Sequence, residues 1–142
     1  MMLAFEVVPL PVADLDRALA FYTERVGFAL DIDYRPTDDF RVVQLTPPGS
    51  ACSVQLRATN SPERLHNLHL VTTDLTAERA GLLARDVPVG PVRHKDSVDG
   101  WVGGWNGGID PQHGDYASFA DFADPDGNTW TVQERGFHQK GQ

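Results

Sequence analysis

An internal repeat with a period of sixty residues most constrains how this chain can fold. Residues 8–20 align with residues 68–80, and in each copy a short alternating run leads through an aspartate, Asp14 or Asp74, into a helical pattern. An aspartate at that position is a good helix N-cap, because its carboxylate accepts amide hydrogens that have no partner in the first turn. The repeat therefore predicts two copies of one module, each opening with a strand and a capped helix.

Apolar residues recur at helical spacing after each aspartate and predict one buried stripe per helix. The stripe comprises Leu15, Ala18, Leu19 and Tyr22 in the first copy and Leu75, Leu82 and Leu83 in the second. Gly27 is expected to end the first helix, and residues 86–88 are expected to end the second.

Three strand-like runs follow each helix. They cover residues 29–34, 40–46 and 51–56 in the first copy and residues 89–94, 116–122 and 129–134 in the second. Residues 124–128, Asp-Pro-Asp-Gly-Asn, predict a tight turn into the last strand. The order βαβββ, found twice, predicts an α+β fold with its helices against one face of the sheets. We expect a single domain over residues 1–142, with one module at about 3–58 and the other at about 66–135.

A glycine-rich insert breaks the symmetry in the second copy. Residues 97–115 contain six glycines and two tryptophans, Trp101 and Trp105. Loops of this length are usually functional or disordered. Two interpretations stay open. The insert is either a lid whose tryptophans dock over a pocket or a partner subunit, or a flexible loop whose rings only cover core.

The amino-acid composition argues against several classes of function. The chain has 142 residues and a net charge of −8, so it lacks the basic surface with which nucleic-acid-binding proteins neutralise phosphate. The acidity suits either solubility alone or a cationic small molecule. The single cysteine, Cys52, excludes an internal disulfide, and neither a signal-peptide pattern nor a membrane-length apolar stretch occurs. We therefore expect a cytoplasmic protein with no membrane partner.

Three segments together resemble the signature of the vicinal oxygen chelate superfamily, which includes glyoxalases, bleomycin resistance proteins and ring-cleaving dioxygenases. They are residues 12–22, 26–28 and 124–128, and residues 40–50 and 116–119 further resemble a bacterial glyoxalase-like subgroup. The resemblance implies two βαβββ modules that form a curved mixed sheet around a cleft, with helices on the outer face. It also implies a homodimer and, in many members, a divalent metal that holds the substrate through two neighbouring oxygens.

The metal ligands that the resemblance implies are missing from this chain. Their positions correspond to Val7, Asn67 and Thr131. Valine has no donor atom, and the neutral amide and hydroxyl are weak ligands compared with the imidazole or carboxylate of such sites. No cofactor is therefore predicted. The alternative is a displaced metal site that uses His69 and Gln133.

Strand alternation predicts which side chains face the cleft. If Val7, Asn67 and Thr131 face it, their strand neighbours face the helices, and those neighbours are mostly apolar, as burial requires. Glu134 also faces the helix side in this register. The predicted ligand-pocket residues are Val7, Pro9, Asn67, His69, Trp101, Trp105, Thr129, Thr131 and Gln133.

The pattern favours a protein that binds a small organic molecule without a metal. One alternative is a metal-dependent lyase or dioxygenase with a displaced metal site, and another is a metal-free enzyme that uses His69 as its catalytic base. A third is an interaction module whose cleft is filled by its own side chains. The sequence has no nucleophile elbow, phosphate-binding loop or zinc-protease motif.

Overall fold

Each copy of the repeat forms a sheet of its own. The computed structural model describes residues 2–96 and 104–138, and within them one sheet has four strands and the other has five. The α+β class predicted from the repeat is confirmed. No helix among these residues has both the length and the apolar character needed to cross a bilayer.

Contacts divide the chain into two units. The first contains the residues up to Leu65 together with Asp124–Asn128. The second contains His66–Ala123 and the residues from Thr129 onward. The turn that joins the last two strands of the second unit is therefore part of the first unit.

The first unit contains four strands and one helical segment. The strands are β1 (Val7–Val12), β2 (Ala29–Thr37), β3 (Phe40–Thr46) and β4 (Ser53–Ala58). They stand in the order β1-β4-β3-β2, with β1 parallel to β4 and the other neighbours antiparallel. Along the chain the elements follow the order βαβββ that was predicted for the first module.

The first helix begins and ends where the sequence predicts. Helix α1 (Leu15–Ala20) is capped by Asp14, whose carboxylate accepts the amide hydrogen of Arg17 at 3.1 Å. The chain continues as a π-helix over Phe21–Val26 and stops at Gly27. The φ of this glycine is 98°, a left-handed conformation that residues with a Cβ rarely adopt.

One face of the first sheet and the helical segment form the core of the first unit. Its buried apolar side chains are Leu10, Val12, Ala18, Phe21, Tyr22, Val26, Phe28, Val43, Leu45, Val54 and Leu56. The buried residues alternate along the strands, as expected for a sheet with one covered face. In the predicted helical stripe, Ala18 and Tyr22 are buried, and Leu15 and Leu19 are half-buried.

A buried carboxylate ties the turn Asp124–Asn128 to the rest of the first unit. Asp124 accepts a hydrogen bond from the Tyr22 hydroxyl at 2.6 Å and from the amides of Asp126 and Asn128 at 2.9 Å. The glycine of the turn has a φ of 95°, as the predicted turn type requires. The turn is confirmed, and its buried hydrogen bonds fix it against the helix.

The second unit contains five strands and a longer helix. In chain order its elements are β5 (Leu68–Thr72), α2 (Leu75–Ala84), β6 (Arg93–Lys95), β7 (Trp105–Gly107), β8 (Ser118–Ala123) and β9 (Thr129–Glu134). The strands stand in the order β5-β9-β8-β6-β7, with β5 parallel to β9 and the other neighbours antiparallel. Strand β7 lies inside the glycine-rich insert, where the sequence did not predict a strand.

Two predictions for the second unit were wrong. Leu83 is 41% exposed, because α2 directs the neighbouring Leu82 into the core and successive helical residues point about 100° apart. The strand predicted over residues 89–94 begins only at Arg93. Pro91 has no amide hydrogen for a sheet hydrogen bond, which is the physical reason for the late start.

Replacing Tyr22 with phenylalanine tests how strongly the buried carboxylate stabilises the first unit. The change removes one donor from a buried acceptor, and such a loss costs about 1–3 kcal/mol of unfolding free energy. Urea unfolding should show a lower midpoint with an unchanged slope. The control is Tyr34→Phe, at a side chain that is 60% exposed. It should stay within about 0.5 kcal/mol of the parent, and equal midpoints for the two variants would contradict the prediction.

Candidate functional site

The second sheet has two chemically different faces. Helix α2 packs against β8 and β9 on one of them, and the buried residues there include Ala120, Phe122, Trp130 and Val132. We call the opposite face the polar-aromatic face. By strand pairing and alternation it carries His69, Val71, Arg93, Lys95, Trp105, Phe119, Asp121, Thr129, Thr131 and Gln133.

Two aromatic rings and two cations cluster on the polar-aromatic face. The Trp105 ring meets the Phe119 ring edge-on, with 5.5 Å between centroids and an interplanar angle of 88°. The guanidinium carbon of Arg93 lies 4.9 Å from the Trp105 centroid and 5.8 Å from the Phe119 centroid, and the Lys95 Nζ lies 5.3 Å from the latter. These distances are within the range of cation–π attraction. Phe119 is buried, whereas Trp105 is 52% exposed and offers an aromatic surface to a ligand.

The carboxylate of Asp121 links the cluster to the middle of the sheet. Its Oδ2 accepts a hydrogen bond from Arg93 at 2.8 Å, and its Oδ1 accepts one from the hydroxyl of Thr131, also at 2.8 Å. The polar groups are therefore positioned by the protein itself. Aromatic surface next to a few oriented polar groups is the usual composition of a small-molecule site.

The imidazole of His69 is oriented by its own strand. Its Nδ1 lies 2.7 Å from the backbone oxygen of Asn67. A carbonyl oxygen can only accept, so we assign the proton of the neutral ring to Nδ1, which leaves Nε2 as an acceptor. Asn67 precedes β5 and has a φ of 58°. Its backbone N–H donates a hydrogen bond to the Thr129 hydroxyl at 2.8 Å. Because Asn67 is outside the strand, alternation gives no direction for its side chain.

Five of the predicted pocket residues lie on one face of the second unit. His69, Trp105, Thr129, Thr131 and Gln133 share the polar-aromatic face of the second unit. Val7 and Pro9 belong to β1 of the first unit, opposite Ser53 and Gln55 in β4. Trp101 lies outside the described residues.

The residues at the family's metal positions do not fit a divalent cation. Val7 presents only hydrocarbon, and the Thr131 hydroxyl donates its hydrogen to Asp121. Within residues 2–96 and 104–138, no group of three or more His, Cys, Asp or Glu side chains is placed to hold a metal ion. His69 and Gln133, the predicted displaced pair, lie on one face of two adjacent strands, where Thr131 is the direct neighbour of His69.

Sequence reasoning missed five residues of the polar-aromatic face. They are Val71, Arg93, Lys95, Phe119 and Asp121. Alternation predicted side-chain directions only for the first strand of each module and the last strand of the second. Applied also to the two strands between the first and last of the second module, it would have put Arg93 with Lys95, and Phe119 with Asp121, on one face each. It would not have shown that the two faces coincide.

The loop after β7 is anchored by a buried aspartate. Asp110 accepts the amide hydrogens of Gly114 at 2.9 Å and Gln112 at 3.1 Å, and its own amide bonds to the Ser118 hydroxyl. The hydrogen bond from Gly114, helped by the one from Gln112 and by the charge of nearby histidines, holds the pKa of the Asp110 carboxyl below its usual 3.8, although burial acts in the opposite direction.

A second buried acid holds the same loop on the helix side of the sheet. Glu134 is fully buried, as its predicted direction requires, and its two oxygens accept from the Leu75 amide at the start of α2 and pair with His113 Nδ1 at 2.7 Å. The His113 ring stacks on Phe137 with 3.7 Å between centroids. His113 has a φ of 49°, so its bonds hold a backbone conformation that is uncommon for histidine. This half of the insert is therefore a tethered loop.

Replacing Asp110 with asparagine tests the anchor and its pH dependence. An asparagine has one acceptor oxygen for the two amides, so we expect a loss of about 1–2 kcal/mol of unfolding free energy at neutral pH. Because folding lowers this pKa, the carboxylate's contribution is complete above pH 3.8 and is lost as the pH falls through the lower folded-state value. Parent and variant should therefore converge in stability in acid. Asp38→Asn, at an exposed turn, is the control, and a gap that stays constant with pH would contradict the assignment.

Comparison with known proteins gives matches among solved structures. No protein-family model matches the chain, and no curated protein matches it. TnmS3, an antibiotic binding protein from Streptomyces sp. CB03234, is 29% identical, with 94% of this chain and 96% of that chain covered and a TM-score of 0.69.

Two further structures carry a family name. A glyoxalase/bleomycin resistance protein from Streptomyces sp. CB03234 is 30% identical, with 92% of this chain and 100% of that chain covered and a TM-score of 0.66. A member of the glyoxalase/bleomycin resistance protein/dioxygenase superfamily from Sphaerobacter thermophilus DSM 20745 is 22% identical, with 94% and 98% covered and a TM-score of 0.69. At that lower identity the third match shows the fold alone.

Proposed function

The chain belongs to the glyoxalase/bleomycin resistance protein/dioxygenase superfamily, also called the vicinal oxygen chelate superfamily, and on this premise we propose that it binds a small planar organic molecule without changing it chemically. The single observation that carries the proposal is the polar-aromatic face. There a half-exposed tryptophan lies beside polar groups that the protein already orients.

The chemistry of that face supports binding of a flat ring. A planar ligand can stack on Trp105, whose large rigid ring gives contact area at little cost in conformational entropy. Gln133, the partner of Phe119 in the pairing of β8 with β9, supplies a hydrogen-bonding group that can fix the orientation of a ligand. The similarity to a protein described as antibiotic binding supports the same class of function.

A binding screen with a matched pair of variants tests the proposal. Planar aromatic compounds should raise the melting temperature of the parent, since a ligand at 100 times its Kd adds about 2.7 kcal/mol of stability. Trp105→Leu should weaken binding by up to about tenfold, because stacking on an aromatic side chain contributes about 0.5–1.5 kcal/mol. Phe40→Leu, at another exposed aromatic residue, should bind as the parent does.

Mass spectrometry of the recovered compound completes this test. The compound should return unchanged after long incubation with the protein. If Trp105→Leu and Phe40→Leu both still bind the compound as tightly as the parent does, Trp105 is not part of the site. Conversion of the compound would replace the binding proposal with an enzymatic one.

We also propose that no divalent metal is retained at the family's usual positions, because Val7 and Thr131 are poor ligands. After dialysis against Ni²⁺, Zn²⁺, Mn²⁺ and Fe²⁺ in turn, bound metal should stay well below one ion per chain, with no change in melting temperature. Stoichiometric metal that is lost in His69→Ala would instead support a displaced site and a lyase or dioxygenase.

One observation favours a second candidate, a metal-free enzyme. The backbone oxygen of Asn67 orients the His69 ring and leaves Nε2 as an acceptor, which is the form that a catalytic base needs. His69→Gln would then abolish conversion of a bound compound while leaving its Kd unchanged. If the bound compound returns intact from the parent protein, this candidate is excluded for that compound.

Three expectations about the chain's surroundings stay predictions. They are a homodimer, a cytoplasmic location and the absence of nucleic-acid and membrane partners. The first rests on the family resemblance, and the last rests on the net charge of −8. Light scattering of the purified protein tests the homodimer directly.

A further inference from the structure

The side chain of Arg93 has hydrogen-bonding capacity that the protein does not use. A guanidinium carries five N–H groups. Two of them reach Asp121, at 2.8 Å and 3.5 Å, and no other hydrogen bond from this side chain occurs within residues 2–96 and 104–138. About three N–H groups therefore remain for a ligand or water. The side chain is 33% exposed, so a ligand can reach them.

The guanidinium is also held in position before any ligand arrives. Asp121 binds it on one side, and its carbon lies 4.9 Å from the centroid of the Trp105 ring. A planar fork that is already oriented loses little conformational freedom when it forms further hydrogen bonds. The orientation of the Arg93 guanidinium therefore limits the direction from which a ligand can approach. Its charge and its N–H groups determine which chemical group of the ligand can bind to it.

The charge of the chain as a whole does not decide which ligand this face prefers. The guanidinium of Arg93 lies beside the rings, and its carboxylate partner is Asp121. Both oxygens of that carboxylate already accept hydrogen bonds, from Arg93 and Thr131. The net charge of −8 is spread over the whole chain. At physiological salt, exposed charges more than about 8 Å away are largely screened, so the nearby groups decide which ligand is preferred.

We propose that the polar-aromatic face selects a planar aromatic anion, with the ring on Trp105 and a carboxylate or other anionic oxygen group on Arg93. The inference rests on the proposed function and narrows its ligand from a small planar molecule to an aromatic anion. Hydrogen bonds between a guanidinium and an anionic oxygen are roughly twice as strong as neutral ones. A cationic ligand, which the chain's acidity alone would suit, meets the guanidinium of Arg93 here.

Calorimetry with matched probe pairs tests the charge preference. The probes are naphthoate with naphthamide, and anthracene carboxylate with anthracene carboxamide, each pair alike in shape and different in charge. In the parent protein the carboxylate should bind at least about tenfold more tightly than its amide, because the carboxylate forms an ion pair with the guanidinium and the neutral amide does not. The ratio of carboxylate affinity to amide affinity should fall as the salt concentration is raised.

Two variants should move that ratio in opposite directions. Arg93→Gln should bring it close to one, because the ion pair is lost and carboxylate binding weakens more than amide binding. Asp121→Asn should raise it by about threefold, because a repulsive carboxylate is removed while the oxygen that accepts from Thr131 is kept. Arg85→Gln, at the C-cap of α2, is the charge-matched control, and it should leave the ratio unchanged. Melting temperatures confirm that each variant is folded.

The outcomes separate this inference from the proposed function. Equal binding of carboxylate and amide by the parent, or a parent-like ratio in Arg93→Gln, would overturn the anion preference and leave small-molecule binding in place. If no member of either pair, and no compound of the wider screen, binds the parent, the proposed function itself fails. A higher ratio in Asp121→Asn with a lower one in Arg93→Gln is the result that supports the inference.

Discussion

Four hydrogen bonds to the carboxylate of Asp124 hold the interior of the first unit together. They come from the Tyr22 hydroxyl, the amides of Asp126 and Asn128, and the Asn128 side chain. A buried carboxylate that lost these partners would be strongly destabilising, so the turn must adopt the one conformation that provides them. Strand β9 begins at the next residue, Thr129. The turn therefore also sets where the alternation of β9 starts, and with it which of its side chains reach the polar-aromatic face.

A carboxylate organises the candidate site as well, but at the surface. Asp121 connects Arg93 on one side to Thr131 on the other, and the guanidinium in turn lies over the Trp105 ring. An exposed ion pair of this kind contributes little to stability. Its value for recognition is different, because it fixes a donor and an aromatic surface in one geometry before a ligand binds. The two acids thus differ in burial: Asp124 has a structural role, and we propose a role in recognition for Asp121.

Local features were predicted well, because short-range hydrogen bonds decide them. Asp14 and Asp74 cap their helices, Gly27 ends the first one, and the turn before β9 forms as expected. Predictions that depended on packing fared less well. Leu83 fits the helical period but lies at the edge of the stripe, where only the packing of α2 decides between it and Leu82. Strand β7 was not predicted, because a three-residue strand among glycines is too short to show an alternating apolar pattern.

The sequence by itself determined the two-module plan, the order of the elements, the helix ends and the absence of strong donors at Val7 and Thr131. These properties depend on residue identity and on spacings of a few residues. Only the tertiary structure decided that β6 lies between β8 and β7, so that Arg93, Phe119 and Trp105 meet on one face. The tether between His113 and Glu134 likewise joins residues 21 positions apart. Pairing of distant segments depends on the register and burial of whole strands, and no local pattern encodes it, because many registers satisfy the same alternation.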